Sequence, residues 1–445
     1  MDIETRRAME TKLGFISQYA ASEPQKKFHS IMHHVNEGSL KANFYELGRR
    51  RAVGVDGVSW QEYEERLEAN IDGLVERMMR MGYRPQPARR VYIPKDDGTN
   101  RPLGIPVIED KIVQKTMSRI MEAIYEEDFH ECSYGFRVGR SSHQALKRVS
   151  DLIFSKPINH VIEADIKGFF DNVSHKRLIV LVRRRITDKR FVRYLVRFLK
   201  AGYMESGILE EAKLGTPQGG NLSPMLANIF LHYVLDEWFE KGVKPRMRGQ
   251  GYLVRYCDDF VILVQYKEEA EIIMKLLVQR FRKYELELNA QKSGVKSFGR
   301  YETENAKGQG RTANTFDFLG FTHYCALSRG GKFKVGRKTS GKKFRKSCKA
   351  MGKWLRSVRN EMTLKDIWRV LKVKLRGHYQ YYGVSENSKW INIFYLRTEE
   401  LVYKWLNRRS QKKSFSWEEF QELLRRYPLP KPRLVHNFYA PSYAG

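Results

Sequence analysis

Apolar positions recur along the chain with two different periods, which predicts both strands and helices. Residues 251–256 and 260–265 are two apolar runs separated by a short polar turn, the pattern of a β-hairpin. A third apolar run, 160–164, ends in the acid Asp165 and predicts another strand. Between residues 267 and 288 apolar side chains recur every three or four positions, which predicts an amphipathic helix. The pattern therefore indicates an α/β (α+β) protein.

Further elements are predicted in the first hundred residues. Residues 25–51 have a helical pattern. Ser59 and Glu62 have the spacing of a capping box, and the helix that they open should end before Gly82. One face of that helix should be buried, and it carries Leu67, Ile71, Leu74 and Met78. Residues 92–106 read as a hairpin with a glycine-containing turn.

The charge of the chain is strongly positive and unevenly distributed. The 445 residues, enough for roughly two to four domains, include 81 Lys and Arg against 51 Asp and Glu, a net charge of +30. Such an excess indicates a polyanionic partner. Residues 331–360 contain twelve Lys or Arg and no acid, with aromatic residues between them. Glycine and serine interrupt any amphipathic helix before about residue 342, so phosphate contact is favoured over a membrane surface.

Cysteine usage and hydropathy constrain the cellular compartment. The four cysteines are scattered without a Cys-x-x-Cys pair, which argues against a disulfide framework or structural zinc. The chain contains no apolar run of about 18 residues, and its N-terminus does not resemble a signal peptide. We expect a soluble cytoplasmic protein with no membrane partner.

Three acids mark the predicted strand ends. Asp258 and Asp259 follow Tyr256 and Cys257 at the tip of the hairpin, where two like charges are tolerable with a counter-charge such as a metal. Asp165 supplies a third carboxylate, and two divalent ions need several anionic oxygens. Taken alone, the Asp-Asp pair also fits an ordinary solvated turn.

Two more patterns are typical of nucleotide binding. Lys95 and Arg101 stand on opposite arms of the 92–106 hairpin, where they could clamp a triphosphate or remain solvated surface charges. The loop 214–224 is rich in glycine and proline and precedes a buried helix. Its glycines permit close approach of a flat base, and Gln218 offers both a donor and an acceptor there.

The order and spacing of these blocks resemble those of the reverse transcriptases encoded by bacterial group II introns and their relatives. The resemblance covers about residues 54–383. It is carried by Gly54–Gly57, Tyr92–Pro106, Ser133–His143, Leu214–Pro224, Tyr256–Asp259, Leu288–Ser293, Phe316–Phe321 and Arg376–Gly383. The last block resembles the signature of the maturase (X, or thumb) domain.

This resemblance implies RNA-directed DNA synthesis. The catalytic residues would be Asp165, Asp258 and Asp259, which together with the backbone carbonyl of Ile166 would bind two Mg²⁺ ions, with Mn²⁺ as a substitute. Phe170 would exclude a ribose 2′-hydroxyl, because reverse transcriptases carry an aromatic at this offset from the first acid.

The remaining nucleotide contacts follow from the same resemblance. Gln218 would touch the incoming nucleotide or the template, and Lys292 would lie near the departing pyrophosphate. Asp171 gives one contrary indication, because an acid near this position selects ribonucleotides in viral RNA-copying polymerases. Phe170 and the Pro-Gln-Gly block favour the DNA-making interpretation.

The fold that the resemblance implies is a right-hand polymerase: fingers and a palm with an antiparallel sheet, followed by a helical thumb. We predict five segments: an N-terminal extension of the fingers (1–80), fingers (81–160), palm (161–325), thumb or maturase domain (330–390) and a C-terminal basic nucleic-acid-binding segment (391–445). The predicted nucleic-acid contacts are Arg337, Lys338, Lys342, Lys343, Arg345, Lys346 and Arg376.

The expected partners are template RNA, a group II intron RNA, a DNA primer or target, and deoxynucleoside triphosphates. The expected location is the bacterial cytoplasm, with nucleoid association as an alternative. No paired cysteines or His-Asn-His cluster follow residue 383, so we expect no second-strand cleavage by this chain. Two alternatives stay open: an RNA-binding maturase in which polymerisation is secondary, and a domesticated enzyme of DNA repair or phage defence. Cys257 keeps the domesticated role open, since intron-encoded members usually have alanine there.

Overall fold

The chain folds into two compact units. The structure is a computed structural model that describes residues 3–94, 100–205, 208–210, 214–215, 219–328, 330–409 and 414–439. The first unit comprises Met1–Ala145 and Ile162–Val295, and the second comprises Leu146–Val161 and Lys296–Gly445. The five segments predicted from the sequence stay a prediction.

Helices dominate both units. Within the described residues the α-helices are α1 Ile3–Ser22, α2 Glu37–Tyr45, α3 Trp60–Glu64, α4 Leu67–Met79, α5 Ile108–Tyr125, α6 Ser142–Ser155, α7 Phe169–Asn172, α8 His175–Val182, α9 Lys189–Lys200, α10 Ser223–Leu231, α11 Lys267–Lys283, α12 Glu302–Gly308, α13 Gly341–Val358, α14 Leu364–Tyr382, α15 Ser388–Leu406 and α16 Trp417–Arg426. Helix α10 continues into π-helical segments at His232–Asp236 and Trp238–Val243. Short 3₁₀ turns lie at Met32–His34 and Lys244–Arg246.

The strands form three small sheets. They are β1 Ala88–Pro94, β2 Asn100–Ile105, β3 His160–Ala164, β4 Tyr203–Glu205, β5 Ile208–Glu210, β6 Gly251–Tyr256, β7 Asp259–Val264, β8 Gly294–Ser297, β9 Thr315–Phe318, β10 Phe321–Leu327 and β11 Phe333–Thr339. The strand orders are β2-β1-β4-β5, β6-β7-β3-β8 and β11-β10-β9.

Both predicted hairpins are present. Strands β1 and β2 are antiparallel, with Pro94 opposite Asn100. Strands β6 and β7 are antiparallel as well, and their last pair joins Tyr256 to Asp259 across a turn of two residues. Strand β3 lies beside β7 in the same sheet, so the acid that follows β3 and the acids of the hairpin belong to neighbouring strands.

The capping box and the buried face that the sequence predicts after residue 58 are confirmed. The Ser59 side chain accepts a hydrogen bond from the N–H of Glu62, and the Glu62 side chain accepts one from the N–H of Ser59. Leu67, Ile71, Leu74 and Met78 are all buried. The predicted single helix is nevertheless two, α3 and α4, separated by a short break at residues 65–66.

The predicted helix over residues 25–51 is confirmed only for α2, Glu37–Tyr45, and is wrong for the residues before and after it. Phe28 pairs in extended conformation with the strand-like residues around Ile186: its N–H donates to the carbonyl of Arg185, and its carbonyl accepts from the N–H of Thr187. A helix begins only at α2, where the side chain of Asn36 accepts a hydrogen bond from the N–H of Ser39.

Two other predicted helices begin or end elsewhere. Helix α11 stops at Lys283 rather than at residue 288, because Glu285 adopts a left-handed backbone conformation with φ of 65°. The thumb was predicted to be helical from residue 330, yet residues 333–339 form strand β11. The basic segment becomes helical at α13, which begins at Gly341 and is capped by the side chain of Ser340.

No helix in the described part of the chain is long and apolar enough to cross a membrane.

Asp188 ties the N-terminal region to the rest of the first unit. Its carboxylate accepts hydrogen bonds from the N–H groups of Ile31 and Met32 at 2.8 and 2.9 Å, and from Arg190 and Phe191 at the start of α9. Burial alone would raise the pKa of this carboxyl, but the four N–H donors outweigh burial and lower it.

We expect Asp188→Ala to lower the free energy of unfolding by about 2–4 kcal/mol, because buried N–H groups lose their acceptor and α9 loses its cap. Chemical denaturation measures the change, with the exposed Asp72→Ala on α4 as the control. Only the ionised carboxylate accepts all four bonds. The stabilisation is therefore present above the pKa of an unfolded Asp, about 3.9, and is lost as the pH falls below it. An Asp188→Ala variant as stable as Asp72→Ala would contradict the assignment.

Candidate active site

The tip of the β6–β7 hairpin combines a strained residue with two acids. Cys257 is buried and has a φ of 58°, a left-handed conformation that costs a residue with a side chain about 1–2 kcal/mol. Asp258 beside it is half-buried and Asp259 is exposed. The turn therefore holds its thiol inward and its carboxylates toward solvent, and something must offset the strain at Cys257.

A buried arginine supplies that support. All of the Arg255 side chain is inaccessible to solvent, and it donates five hydrogen bonds. Two go to the carboxylate of Asp236, one to Oδ1 of Asn228 at 3.0 Å and one to Oγ of Ser133 at 2.8 Å. The fifth, at 3.0 Å, goes to the carbonyl of Cys257. A hydrogen bond from a charged donor stabilises by about 1.5–3 kcal/mol, comparable to the backbone strain that it supports.

The segment 132–135 bounds the hairpin from its outer side. The N–H of Tyr134 donates to the carbonyl of Arg255, and the N–H of Arg255 donates to the carbonyl of Cys132. A Cβ atom at Gly135 would lie 2.4 Å from the backbone nitrogen of Cys257, so only glycine fits there. Asn228 then donates from its side chain to the carbonyl of Gly135 at 2.7 Å.

The ion pair inside this network keeps Arg255 charged. Burial alone would lower the pKa of the guanidinium, but the Asp236 carboxylate beside it raises the pKa above the ordinary value. A buried pair of this kind adds little net stability, whereas removal of one partner leaves a buried charge uncompensated. The four side chains of Arg255, Asp236, Asn228 and Ser133 therefore form a unit that tolerates single losses poorly.

The third acid lies on the neighbouring strand. Asp165 directly follows β3, and Asp259 is the first residue of β7, the strand next to β3. The backbone at Asp165 is fixed by residues that follow α11: the N–H of Asn289 donates to its carbonyl at 2.8 Å, and its own N–H donates to Oγ of Ser293 at 3.1 Å.

The carbonyl of Ile166 is not used by the adjacent backbone pairing. Ile166 is paired antiparallel with Leu288, and the hydrogen bonds of this pair involve the carbonyl of Asp165 and the N–H of Lys167. In such a non-hydrogen-bonded pair the two facing residues point their own polar groups away from each other. The Ile166 carbonyl is therefore directed away from Leu288, and its use as a metal ligand stays a prediction.

Lys292 contacts the first acid. Its Nζ lies 3.2 Å from Oδ2 of Asp165, and both side chains are well exposed. The sequence predicted Lys292 near a departing pyrophosphate. In the structure its ammonium lies at the carboxylate predicted to bind metal, and its role near a pyrophosphate stays a prediction.

The donors suit magnesium in kind. Three carboxylates and a backbone carbonyl are hard oxygen ligands of the type that Mg²⁺ prefers. In the part of the chain that the structure describes, however, no group of three or more His, Cys, Asp and Glu side chains is arranged to hold a metal ion. The metal-binding role of these residues is therefore taken up below as a proposal.

The predicted gate residue is positioned by core packing. Phe169 is buried, and its ring meets the half-buried ring of Phe170 edge-on at 5.3 Å. Two glycines of the loop before α10 approach closely: a Cβ at Gly215 would lie 2.7 Å from the carbonyl of Phe170, and one at Gly219 would lie 2.6 Å from the carbonyl of Gly104 in β2. Gly215 therefore lies against α7, and Gly219 lies against strand β2.

Three predicted nucleotide contacts are not covered by the structure. Lys95 and Gln218 lie outside the described residues, and so does the side chain of Arg101, whose backbone is in β2.

Comparisons with known proteins decide the family. Residues 93–323, half of the chain, match the family described as reverse transcriptase (RNA-dependent DNA polymerase). This chain belongs to the reverse transcriptase family. The predicted fold class is thereby confirmed, a reverse transcriptase domain built from helices and sheets with antiparallel pairs, in one of which β1 also pairs parallel to β4.

Its curated relatives include proteins of introns. Protein YkfC of Escherichia coli is 36% identical over a 282-residue alignment that covers 56% of this chain and 74% of YkfC. The group II intron-encoded protein LtrA of Lactococcus lactis is 35% identical over 55% of this chain and 41% of LtrA. An uncharacterized 91 kDa protein in the cob intron of Schizosaccharomyces pombe is 41% identical over 42% of this chain and 22% of that protein. The chain therefore spans less than half of either intron protein.

The cations predicted to bind nucleic acid in this reverse transcriptase are mostly accessible. Helix α13 buries Met351 and Leu355 and turns its charges outward. The exposed cations are Lys342, Arg345, Lys346 and, on α14, Arg376, while Lys338 and Lys343 are half-buried.

The prediction for Arg337 needs correction. Its side chain is fully buried in β11, where it cannot reach a phosphate, and it lies over the ring of Phe438 at 4.5 Å. Burial lowers the pKa of the guanidinium. The backbone around Phe438 is held by Val384, which pairs with His436, and by the Oγ of Ser385, which accepts from the N–H of Phe438. Alternation along the strand, rather than charge, decides which side chains face inward.

The buried residues that hold the hairpin were missed by sequence reasoning. Arg255 lies within an apolar strand, and Asn228 within the apolar run that became α10. A polar side chain at an inward position of an apolar run needs a partner, and that signal was available. Asp236 would have been harder to find, because the π-helical turn changes which residues face inward.

Cys257 behaves as a small buried residue. Burial raises the pKa of its thiol, with the neighbouring Asp258 carboxylate adding to the effect. Reactive cysteines are exposed and have lowered pKa values. The structure thus supports a packing role for this departure from the usual alanine, over a redox role.

Proposed function

We propose that this chain is an RNA-directed DNA polymerase, a nucleotidyltransferase that extends a primer 3′-hydroxyl with deoxynucleoside triphosphates along an RNA template. The observation that carries the proposal is the placement of Asp165 and the hairpin acids Asp258 and Asp259 at the ends of neighbouring strands. Family membership supports the same reaction class.

Asp165, Asp258, Asp259 and the carbonyl of Ile166 would hold two Mg²⁺ ions, for which Mn²⁺ would substitute. When bound, these ions supply activation of the primer hydroxyl and charge neutralisation at the leaving pyrophosphate. The exposure of Asp259 and the half-exposure of Asp258 are compatible with this role, because both carboxylates can be reached from solvent.

The side chains around the acids would orient the incoming nucleotide and distinguish deoxyribose from ribose. Phe170 is held against Phe169 and would meet the sugar of the incoming nucleotide. The ammonium of Lys292, which contacts Asp165 in the structure, would pair with the triphosphate when a nucleotide is bound. Lys95, Arg101 and Gln218 complete the proposed nucleotide contacts.

We expect Asp258→Ala to reduce primer extension by at least about 100-fold, because metal-assisted catalysis contributes several kcal/mol. Affinity for a template–primer duplex should stay unchanged, since one carboxylate at the hairpin contributes no phosphate contact. Extension of a labelled primer on RNA, with Asp72→Ala as the matched control, measures both. Full extension by Asp258→Ala would end the catalytic assignment.

Phe170→Ala should raise the ratio of ribonucleotide to deoxyribonucleotide incorporation by roughly tenfold or more, because a steric contact with the 2′-hydroxyl is removed. Single-nucleotide extension with each nucleotide separately gives the ratio. Phe169→Leu is the control, since it perturbs the adjacent core without facing the sugar. An unchanged ratio in Phe170→Ala would refute the gate.

A second proposed role is binding of an intron RNA to assist its splicing, with the nucleic acid held partly by α13. The exposed cations of α13 support it, and so does the similarity to a group II intron-encoded protein. DNA primer or target would use the same basic surface.

We expect the triple variant Lys342→Gln, Arg345→Gln and Lys346→Gln to bind structured RNA with a weaker salt dependence. Each lost phosphate contact reduces the slope of log K against log salt by about 0.7–0.9, so the slope should fall by about 2. Titrations between low and moderate salt measure it. Gln substitutions at Arg80, Lys267 and Arg397 make the same charge change at cations already paired on their own helices. Equal slopes in the two triple variants would remove α13 from the RNA-binding surface.

A further inference from the structure

The Arg255 side chain donates a hydrogen bond to one atom at the hairpin tip, and the position of that atom affects where the carboxylates of the tip lie. The acceptor is the carbonyl of Cys257, which belongs to the same peptide unit as the nitrogen of Asp258. A peptide unit is planar, so the direction of its carbonyl fixes where the following Cα atom lies. The orientation of the Asp258 side chain therefore depends on this hydrogen bond.

The peptide unit would not hold that orientation by itself. Cys257 is in the left-handed region, from which a residue with a side chain relaxes when its supports are removed. Gly135 closes the outer side of the turn, and Arg255 holds the inner side. The turn thus has one contact on each side, and the contact from Arg255 is a directional hydrogen bond.

The remaining bonds of Arg255 keep its fork in one position. Asp236 takes two of them, and Asn228 and Ser133 take one each, from three different parts of the chain. Arg255 and these three partners are all fully buried, with 0% of their surface exposed. A guanidinium with every bond satisfied in this way cannot rotate without losing several of them.

We propose that Arg255 is a positioning residue for polymerisation: through the Cys257 carbonyl it sets the placement of the carboxylates of Asp258 and Asp259. This inference rests on the proposed function of those two acids. Arg255 contacts neither substrate nor the reacting atoms. Its effect on the reaction passes through the backbone of the turn.

The test must separate positioning from folding. The double variant Arg255→Met with Asp236→Leu removes the pair without leaving a lone buried charge, a replacement that cores often accept. The matched control is Arg185→Met with Asp128→Leu, because Arg185 and Asp128 form another largely buried pair, 3.4 Å apart, in the same unit. Arg255→Lys is a further variant, which retains the charge opposite Asp236 while a single ammonium replaces the five-donor fork.

Thermal unfolding, template–primer affinity, kcat of primer extension and the Mg²⁺ concentration for half-maximal rate are measured for each variant. In the Arg255/Asp236 variant we expect kcat to fall by about 10- to 100-fold, since displacements near 1 Å cost on this order. The half-maximal Mg²⁺ concentration should rise severalfold, while template–primer affinity matches that of the Arg185/Asp128 control. Arg255→Lys should fold, and its kcat should be as low as that of the Arg255/Asp236 variant.

Two results would overturn the proposal. The first is a kcat and an Mg²⁺ requirement in the Arg255/Asp236 variant equal to those of the Arg185/Asp128 control. The second is a kcat in Arg255→Lys equal to that of the unmodified protein. If the double variant does not fold, Arg255→Lys alone decides. Asp258→Ala is assayed in parallel. If it keeps full activity, the proposed function itself fails, whereas an inactive Asp258→Ala beside an active Arg255→Lys refutes only the positioning role.

Discussion

The ion pair between Arg255 and Asp236 is the constraint on which the hairpin region depends. It joins strand β6 to the π-helical segment after α10, and through Asn228 and Ser133 it also joins α10 and the segment 132–135. A charge in the interior demands its partners in fixed places, since the alternative is an uncompensated ion in a low-dielectric medium. Elements distant in sequence are thereby held in one arrangement, and the strained turn at Cys257 is held with them.

Outside this interior, the charged groups face solvent. Asp258 and Asp259 can be reached from solvent at a turn whose backbone is held by the buried Arg255. Asp165 is paired with the exposed Lys292. This separation suits the reaction that we propose, in which the exposed groups exchange partners and the backbone that carries them stays rigid. The second unit shows the same division, with cations on the outer face of α13 and apolar side chains on its inner face.

Sequence reasoning found what local pattern determines. Hairpins with short turns, the Ser59 capping box and the buried face of α4 all follow from periodicity and turn chemistry, and each was predicted. What it missed depends on tertiary contacts: the extended pairing of Phe28 with the Ile186 region, the inward direction of Arg337, and the partners of Arg255. The candidate acids could be selected from the sequence because they end apolar strands, but Lys292 at Asp165 could not, because that contact spans more than a hundred residues.

The backbone pairing between Val384 and His436 has a practical meaning for anyone dissecting this protein. Residues 435–438 lie along the end of α14 and place Phe438 over the buried guanidinium of Arg337. A fragment of the second unit cut just after α16 would expose that guanidinium to water and leave the carbonyl of Gly383 without its donors. The smallest usable version of this unit therefore extends through this last stretch, and fusion partners or immobilisation tags are better attached well away from it.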